Sequence, residues 1–238
     1  AEPADIVAAI EQALSANDDL AGVRVLVTAG GTREAIDPVR VITNRSSGKQ
    51  GYAIAAEALS RGAKVTLVTT ASLPAPVGVD VVEVVSAADM EAAVMPRADA
   101  HDVIVMAAAV ADFRPASIAA HKIKKDELSA EGEPRIVLEP THDFLVDLGQ
   151  RKAPGQVIVG FAAETTNVVE NARGKLKRKN LDLIVANDVS ADGVGFEHDT
   201  NAVTILSATA DDISIGLTDK RAVAKAVLDA VVALRSDR

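Results

Sequence analysis

The chain of 238 residues contains no cysteine and no tryptophan. Without cysteine there can be no disulfide, no thiolate metal site and no cysteine nucleophile, so any thiol in a reaction must arrive with a substrate. Aromatics are 2% of a chain that is 48% hydrophobic, which leaves the core to Ala, Val, Leu and Ile, the composition of parallel α/β sheets. Basic residues are outnumbered 25 to 34, for a net charge of −9, and that argues against the basic face of a nucleic-acid groove. His101, His121, His142 and His198 show no metal-ligand spacing. No apolar run approaches membrane-spanning length and no signal peptide is visible, so the expected setting is cytoplasmic and away from a membrane. The length suits one large domain, and a first residue Ala1 in place of Met suggests an excised domain or a processed start.

What is present is concentrated in residues 23–51, VRVLVTAGGTREAIDPVRVITNRSSGKQG. Residues 23–28 are an apolar, β-branched run suited to a strand covered on both faces. From Gly48 onward Tyr52, Ile54, Ala55, Ala58 and Leu59 recur at helical spacing. Between them backbone can approach phosphate twice: at Gly30-Gly31, where missing side chains permit positive φ, and at Ser46-Ser47-Gly48, where a helix N-terminus presents its N–H groups. A chain turn and a plain helix cap would carry the same residues. Neither standard nucleotide motif fits. A dinucleotide fingerprint would run G-x-G-x-x-G straight from strand into helix, and a P-loop would need Gly where Thr43 stands and Ser or Thr at Gln50. The detour carries Arg33, Glu34, Asp37, Arg40, Asn44 and Arg45, and polar loops of that length are uncommon unless functional.

Residues 2–20 read as a leading helix, with Ile6, Ala9, Ile10 and Leu14 as its stripe. Further strands are expected at 64–69, 79–85 and 103–108, with a helix at 87–98; this alternation predicts a parallel sheet with the fourth strand beside the first and ligands at the strands' carboxyl ends. The fourth strand ends in Met106-Ala107-Ala108, small residues that let a ligand lie against backbone. Residues 114–140 break the alternation. Lys122 to Lys125 and Ile136 to Leu138 predict the arms of a projecting flap, with Lys122 and Lys124 on one face, although lysines also guard exposed strands against edge pairing. A fifth strand is expected at 156–164 with Phe161 near its end, where a base could stack. A helix follows from about Thr166, on which Lys175 and Lys179 share a face; a solvated basic helix end would look the same. Residues 181–186 give a sixth strand, 202–206 and 213–217 an antiparallel pair, and 220–234 a closing amphipathic helix without catalytic signal. The expected fold is a Rossmann-like, mostly parallel α/β sheet flanked by helices, with a β-flap and a C-terminal antiparallel extension.

The run T-A-G-G-T-R-E-x-x-D-P-V-R-x-I-T-N-x-S-S-G-K-x-G resembles the ligase domain of bacterial phosphopantothenate–cysteine ligases, in many bacteria the C-terminal half of a bifunctional coenzyme A biosynthesis protein. The resemblance extends to about Ser190. It implies residues 1–20 as leading helix or linker and 21–238 as a nucleotide-binding ligase domain with a flap at about 114–140. It implies amide formation between 4′-phosphopantothenate and L-cysteine through an acyl-cytidylate, CTP giving CMP and pyrophosphate. By resemblance, Gly30, Gly31, Ser46, Ser47, Gly48, Met106, Ala107, Ala108 and Asp112 belong to the nucleotide site, with Lys122 on the triphosphate. Glu139, Pro140, Thr141 and His142 pass close to the nucleotide, and Phe161, Lys175 and Lys179 bind it. Arg40 is the candidate for the substrate's carboxylate or phosphate, and Asn44 for the amide donor that steadies the second-step oxyanion. Mg²⁺ would arrive on the triphosphate, with Asp112 as its candidate carboxylate. A homodimer and fusion to an upstream decarboxylase domain are also implied. The competing readings are an NAD(P)-dependent reductase, for which the second strand lacks a terminal acidic residue in Val68-Thr69-Thr70, and a non-catalytic nucleotide-binding module.

Overall fold

A computed structural model describes residues 18–124, 135–188 and 198–236. The expected leading helix at 2–20 therefore falls almost wholly outside the described residues.

β1 (Arg24–Ala29) is buried from Val25 to its end because its Val and Leu side chains have helices on both sides. It lies between β4 (Lys64–Thr69) and β6 (Val103–Met106), parallel to both, as the alternation predicts. Beyond β4 comes β5 (Asp80–Glu83); beyond β6 come β9 (Val157–Glu164) and β10 (Leu183–Asp188), all parallel. β11 (Thr200–Ser207) and β12 (Ile213–Asp219) complete the sheet antiparallel, in the order β12-β11-β10-β9-β6-β1-β4-β5.

α1 (Lys49–Ser60) and α5 (Lys220–Ser236) cover one face, and their apolar stripes join a single core with alternate residues of β1, β4, β6 and β9. α2 (Ala87–Val94), α3 (Phe144–Gln150) and α4 (Val168–Arg178) supply the core of the other face. α2 starts in a capping box, Ser86 Oγ accepting from Asp89 N–H while the Asp89 carboxylate accepts from Ser86 N–H. It stops at Val94, short of the expected 98, and a 3-10 turn at Ala98–Ala100 leads on to β6.

Two expectations are corrected. The detour after β1 is not loop throughout: β2 (Arg33–Ala35) and β3 (Val41–Thr43) pair antiparallel within it. The flap's ladder joins β7 (Phe113–Pro115) to β8 (Leu138–Pro140), whereas Lys122 to Lys124 are irregular backbone, so strand periodicity does not set the faces of Lys122 and Lys124. The reason lies in Asp37, whose buried carboxylate accepts the Ile123 N–H at 3.2 Å and so draws that segment onto the detour instead of a partner strand. Residues 125–134, including Lys125 of the expected arm, lie outside the described residues.

Candidate functional site

β1 stands where the chain reverses its direction across the sheet, with β4 on one side and β6 on the other, and in open α/β sheets ligands collect at such a point beyond the strands' carboxyl ends. The chain leaves β1 through Gly30, whose φ of +88° suits glycine and whose missing Cβ leaves room for Thr70 Oγ1 at 2.2 Å from where that atom would stand. At Gly31 an added Cβ would meet the Asn44 carbonyl at 2.6 Å. The two glycines thus pack the strand end against its neighbours and do not line the cleft described next.

That cleft, of about 100 Å³, opens between the N-terminus of α1 and the ends of β6 and β9. Six of the expected residues line it: Ser46, Ser47, Gly48, Ala107, Ala108 and Phe161. Gly48 precedes α1 at φ +81°, where an added Cβ would stand 2.8 Å from that of Ala71. The Ser46 N–H is given to Asn44 O at 2.8 Å and the Lys49 N–H to Ser47 Oγ at 3.5 Å, which leaves Gln50 and Gly51 as the first-turn N–H groups on the cleft wall for which the helix offers no carbonyl partner. Gly51 lets α1 lie on β1, since a Cβ there would stand 2.6 Å from that of Ala29. Met106, by contrast, is buried in β6 with its sulfur 4.0 Å from Thr28 Oγ1, below the cleft and not in it.

Pro140, Thr141 and His142 line a second cleft, of about 260 Å³, with Glu34, Glu91 and Arg114 beside the start of α2. The expected nucleotide set is therefore divided between two depressions. Asp112 lines neither: its side chain is exposed, and its carbonyl accepts the Thr141 N–H at 2.9 Å. Glu139 is held by Arg114 Nε at 2.8 Å. His142 Nδ1 lies 2.9 Å from Glu91 Oε1, and Glu91, with Asp147 and Asp143 nearby, raises the imidazole pKa above its ordinary value.

The expected cations are all exposed or paired. Lys175 Nζ meets Glu164 Oε1 at 2.7 Å and Lys179 Nζ meets Asp143 Oδ2 at 2.8 Å, so both begin from carboxylates that an incoming anion would have to displace or share. Lys122 is exposed on its irregular segment. Arg40 reaches that segment, its Nη1 donating to Asp37 Oδ2 at 3.2 Å and to Ile123 O at 3.3 Å. Burial opposes the Asp37 charge, yet N–H groups of Val39, Ile123 and Arg40 hold its carboxyl below the usual range. Asn44 holds the β6 exit: its Nδ2 donates to Ala109 O at 3.3 Å and to Val110 O at 3.2 Å. Both amide hydrogens are engaged there, so donating to an oxyanion would mean giving up one of these carbonyls.

Lys49, Gln50, Asn187, Asn201 and Lys220, with Gly51, Ala109 and Ala163, complete the wall of the smaller cleft and were not among the expected residues. Lys49 adjoins the serine–serine–glycine run and could have been included. Nothing in the sequence marks Asn201 or Lys220, which come from the C-terminal extension. Among the described residues no group of three or more His, Asp or Glu is placed to hold a metal ion. The end of β4 carries threonines, Thr70 Oγ1 donating to Gly31 O at 2.8 Å, and no carboxylate stands there for a dinucleotide ribose.

Residues 20–234 match the family model described as DNA/pantothenate metabolism flavoprotein C-terminal domain. The chain is 49% identical over 225 residues to the coenzyme A biosynthesis bifunctional protein CoaBC of Mycobacterium bovis, covering 90% of this chain and 53% of that protein. It is 45% identical over 237 residues to CoaBC of Bacillus subtilis, at 98% and 57% coverage. The chain thus spans about half the length of the curated relatives it matches. Among solved structures, the C-terminal domain of CoaBC aligns with a TM-score of 0.78 and 42% identity, over 93% of this chain and 100% of that one. A complex of a Cab2 variant with phosphopantothenate-cysteine shares the fold, with a TM-score of 0.77 at 19% identity over 98% and 91% of the two chains.

Proposed function

Because the chain belongs to the DNA/pantothenate metabolism flavoprotein C-terminal domain family, we propose that it joins 4′-phosphopantothenate to L-cysteine with CTP as activating nucleotide, in coenzyme A biosynthesis. The carboxylate of 4′-phosphopantothenate attacks the α-phosphorus of CTP, giving an acyl-cytidylate and pyrophosphate; the cysteine amine then attacks the acyl carbon and CMP leaves. The thiol is a spectator, in keeping with a chain that has none of its own.

The observation that carries this reading is the smaller cleft, where helix N–H groups face the alanine-lined end of β6. The first step brings two anions together, so the site must neutralise charge and hold geometry more than supply covalent chemistry. Amides of α1 suit a phosphate, Phe161 at the cleft wall suits a base or ribose, and Lys122, Lys175 and Lys179 stand around as mobile charges. Mg²⁺ would come with the triphosphate, as that ion commonly does, with Asp112 as the candidate carboxylate. Arg40 takes the carboxylate or phosphate of the acyl substrate. Asn44 serves the second step by fixing the 109–110 carbonyls against which the acyl group lies, in place of donating directly.

The chain is further proposed to act as a homodimer in the cytoplasm. Val39, Phe113, Ile118 and Val137 are more than half exposed on the β2–β3 and β7–β8 projections, an apolar surface that a second copy would cover. No described helix is long and apolar enough to cross a membrane. The bifunctional relatives support an upstream decarboxylase domain joined through residues 1–20.

The test is pyrophosphate release with CTP, Mg²⁺ and 4′-phosphopantothenate, with and without L-cysteine, and with ATP in parallel. Release that depends on phosphopantothenate and runs with CTP, followed by a cysteine adduct of the right mass, supports the ligase. Nucleotide binding without pyrophosphate would move the chain to a non-catalytic binding module.

A further inference from the structure

β6 ends at Met106, where its pairing with both neighbours stops, at Thr28↔Met106 on the β1 side and Met106↔Gly160 on the β9 side. Past that point its chain keeps to β1. The Ala108 N–H is given to Thr28 Oγ1 at 3.1 Å, the Ala109 N–H to Gly30 O at 2.8 Å and the Ala111 N–H to Thr32 Oγ1 at 2.9 Å. Two of these three acceptors are side-chain hydroxyls, and both threonines are wholly buried. Thr32 is itself held from two sides, its N–H donating to Ala109 O at 3.2 Å and its carbonyl accepting Thr43 Oγ1 at 2.8 Å from β3. Packing alone does not ask for a hydroxyl at position 28, since Val25, Leu26, Val27 and Ala29 fill the other buried places of β1.

β9 goes the other way, staying paired with β10 as far as Glu164↔Asp188. The ends of β6 and β9 therefore part after Met106 and Gly160, and the smaller cleft lies in the gap, with Ala107, Ala108 and Ala109 on one side and Phe161 and Ala163 on the other. A backbone N–H beside a buried strand end is costly to leave unpaired. Without a hydroxyl at position 28, the Ala108 N–H would recover a partner by resuming the ladder with a β9 carbonyl, and that would draw the two ends together across the cleft. A threonine oxygen is a buried acceptor that a valine of the same shape does not have.

We propose that Thr28 and Thr32 are positioning residues whose hydroxyls hold the exit of β6 against β1, away from β9, and so keep the smaller cleft open for nucleotide. They touch no substrate and act through the backbone of residues 108–111. The inference rests on the ligase reading for its ligand, CTP.

The experiment is calorimetric titration with CTP of the full chain and its Thr28→Val, Thr28→Ser, Thr32→Val and Thr32→Ser variants, followed by pyrophosphate release from the same proteins. Valine keeps the shape and removes the acceptor, whereas serine keeps the acceptor and removes a methyl. Leaving a buried N–H unpaired corresponds to a fall of roughly 10- to 100-fold in affinity when binding must restore the open form. That fall is expected in both valine variants, with the serine variants within about threefold of the unmodified chain. Pyrophosphate release at saturating CTP should stay within about threefold throughout, which puts the effect on KM and not on kcat. A packing role gives the opposite ranking, because a lost methyl is felt in a close-packed site that valine fills; serine variants as weak as the valine ones therefore overturn the assignment. Should Thr32→Val not fold, Thr28→Val decides, since valine is at home in a buried strand. Full CTP affinity in the valine variants overturns the assignment and leaves the ligase reading standing. CTP binding by the unmodified chain without pyrophosphate release overturns the ligase reading, and the ranking of affinities still decides the role of the threonines. Failure of the unmodified chain to bind CTP overturns both.

Discussion

Asn44 shows how a residue's partners can redefine its role. Its amide nitrogen bridges two consecutive carbonyls, of Ala109 and Val110, at the exit of β6. Truncation to alanine frees that exit without touching the α1 amides. Asn44→Ala is therefore expected to keep pyrophosphate release while amide formation falls by about 10²- to 10³-fold, the range seen when a positioned polar group is removed from an active site; separate assays of pyrophosphate and of cysteine adduct decide it, and equal loss in both would remove the second-step role. Gly48 gives a sharper case. Its φ of +81° and the 2.8 Å that would separate an added Cβ from that of Ala71 leave no relaxed alternative. Gly48→Ala should cost about 1–3 kcal/mol in chemical denaturation and raise the KM for nucleotide as the first turn of α1 shifts.

At the scale of elements, β8 and α2 are joined by the exposed His142–Glu91 pair. The imidazole pKa is raised in the folded protein, with the Glu91 hydrogen bond as its largest cause, so the pair's contribution is fully present below the unfolded value of about 6.5 and is lost as pH rises through the higher folded value. NMR titration should find His142 above that reference and Glu91→Gln should lower it; a His142 that titrates identically in both proteins would dismiss the pairing. Elements were also where the sequence was most and least readable. β1, β4, β6, β9 and the closing helix follow from runs and stripes that hydrophobic periodicity reports directly. β2 and β3 have three residues each, too few for a period to mark them. The lysine segment alternates as a strand would, but its N–H partner is a carboxylate 86 residues away, a contact no local pattern reports. The same limit hid Lys220, whose burial depends on where α1 begins. The residues of the motif at 28–51 were legible as a site; which of them face the cleft, and which only pack behind it, required the backbone path.

At the scale of the whole molecule, Arg61 ties together parts of the chain far apart in sequence. Its guanidinium is nearly buried and meets Asp19 through two nitrogens, at 2.5 Å and 2.8 Å, and Asp229 at 2.8 Å, joining the entry to β1, the end of α1 and the middle of α5. Removing one partner of a fully buried pair costs about 3–5 kcal/mol, but the carboxylates here retain solvent, so Arg61→Met should cost about 1–3 kcal/mol. A lowered urea midpoint at unchanged slope is the expected signature.

The bond from Gln50 to the Lys220 carbonyl spans 170 residues and closes the cleft. During synthesis at about 5–20 residues per second, the motif that opens the site therefore waits roughly 10–30 s for the segment that shuts it. A nascent chain halted before α5 would carry the whole serine–glycine motif and yet lack a finished cleft wall. Synthesis of α5, and not the appearance of the signature residues, sets the moment at which the cleft wall is whole.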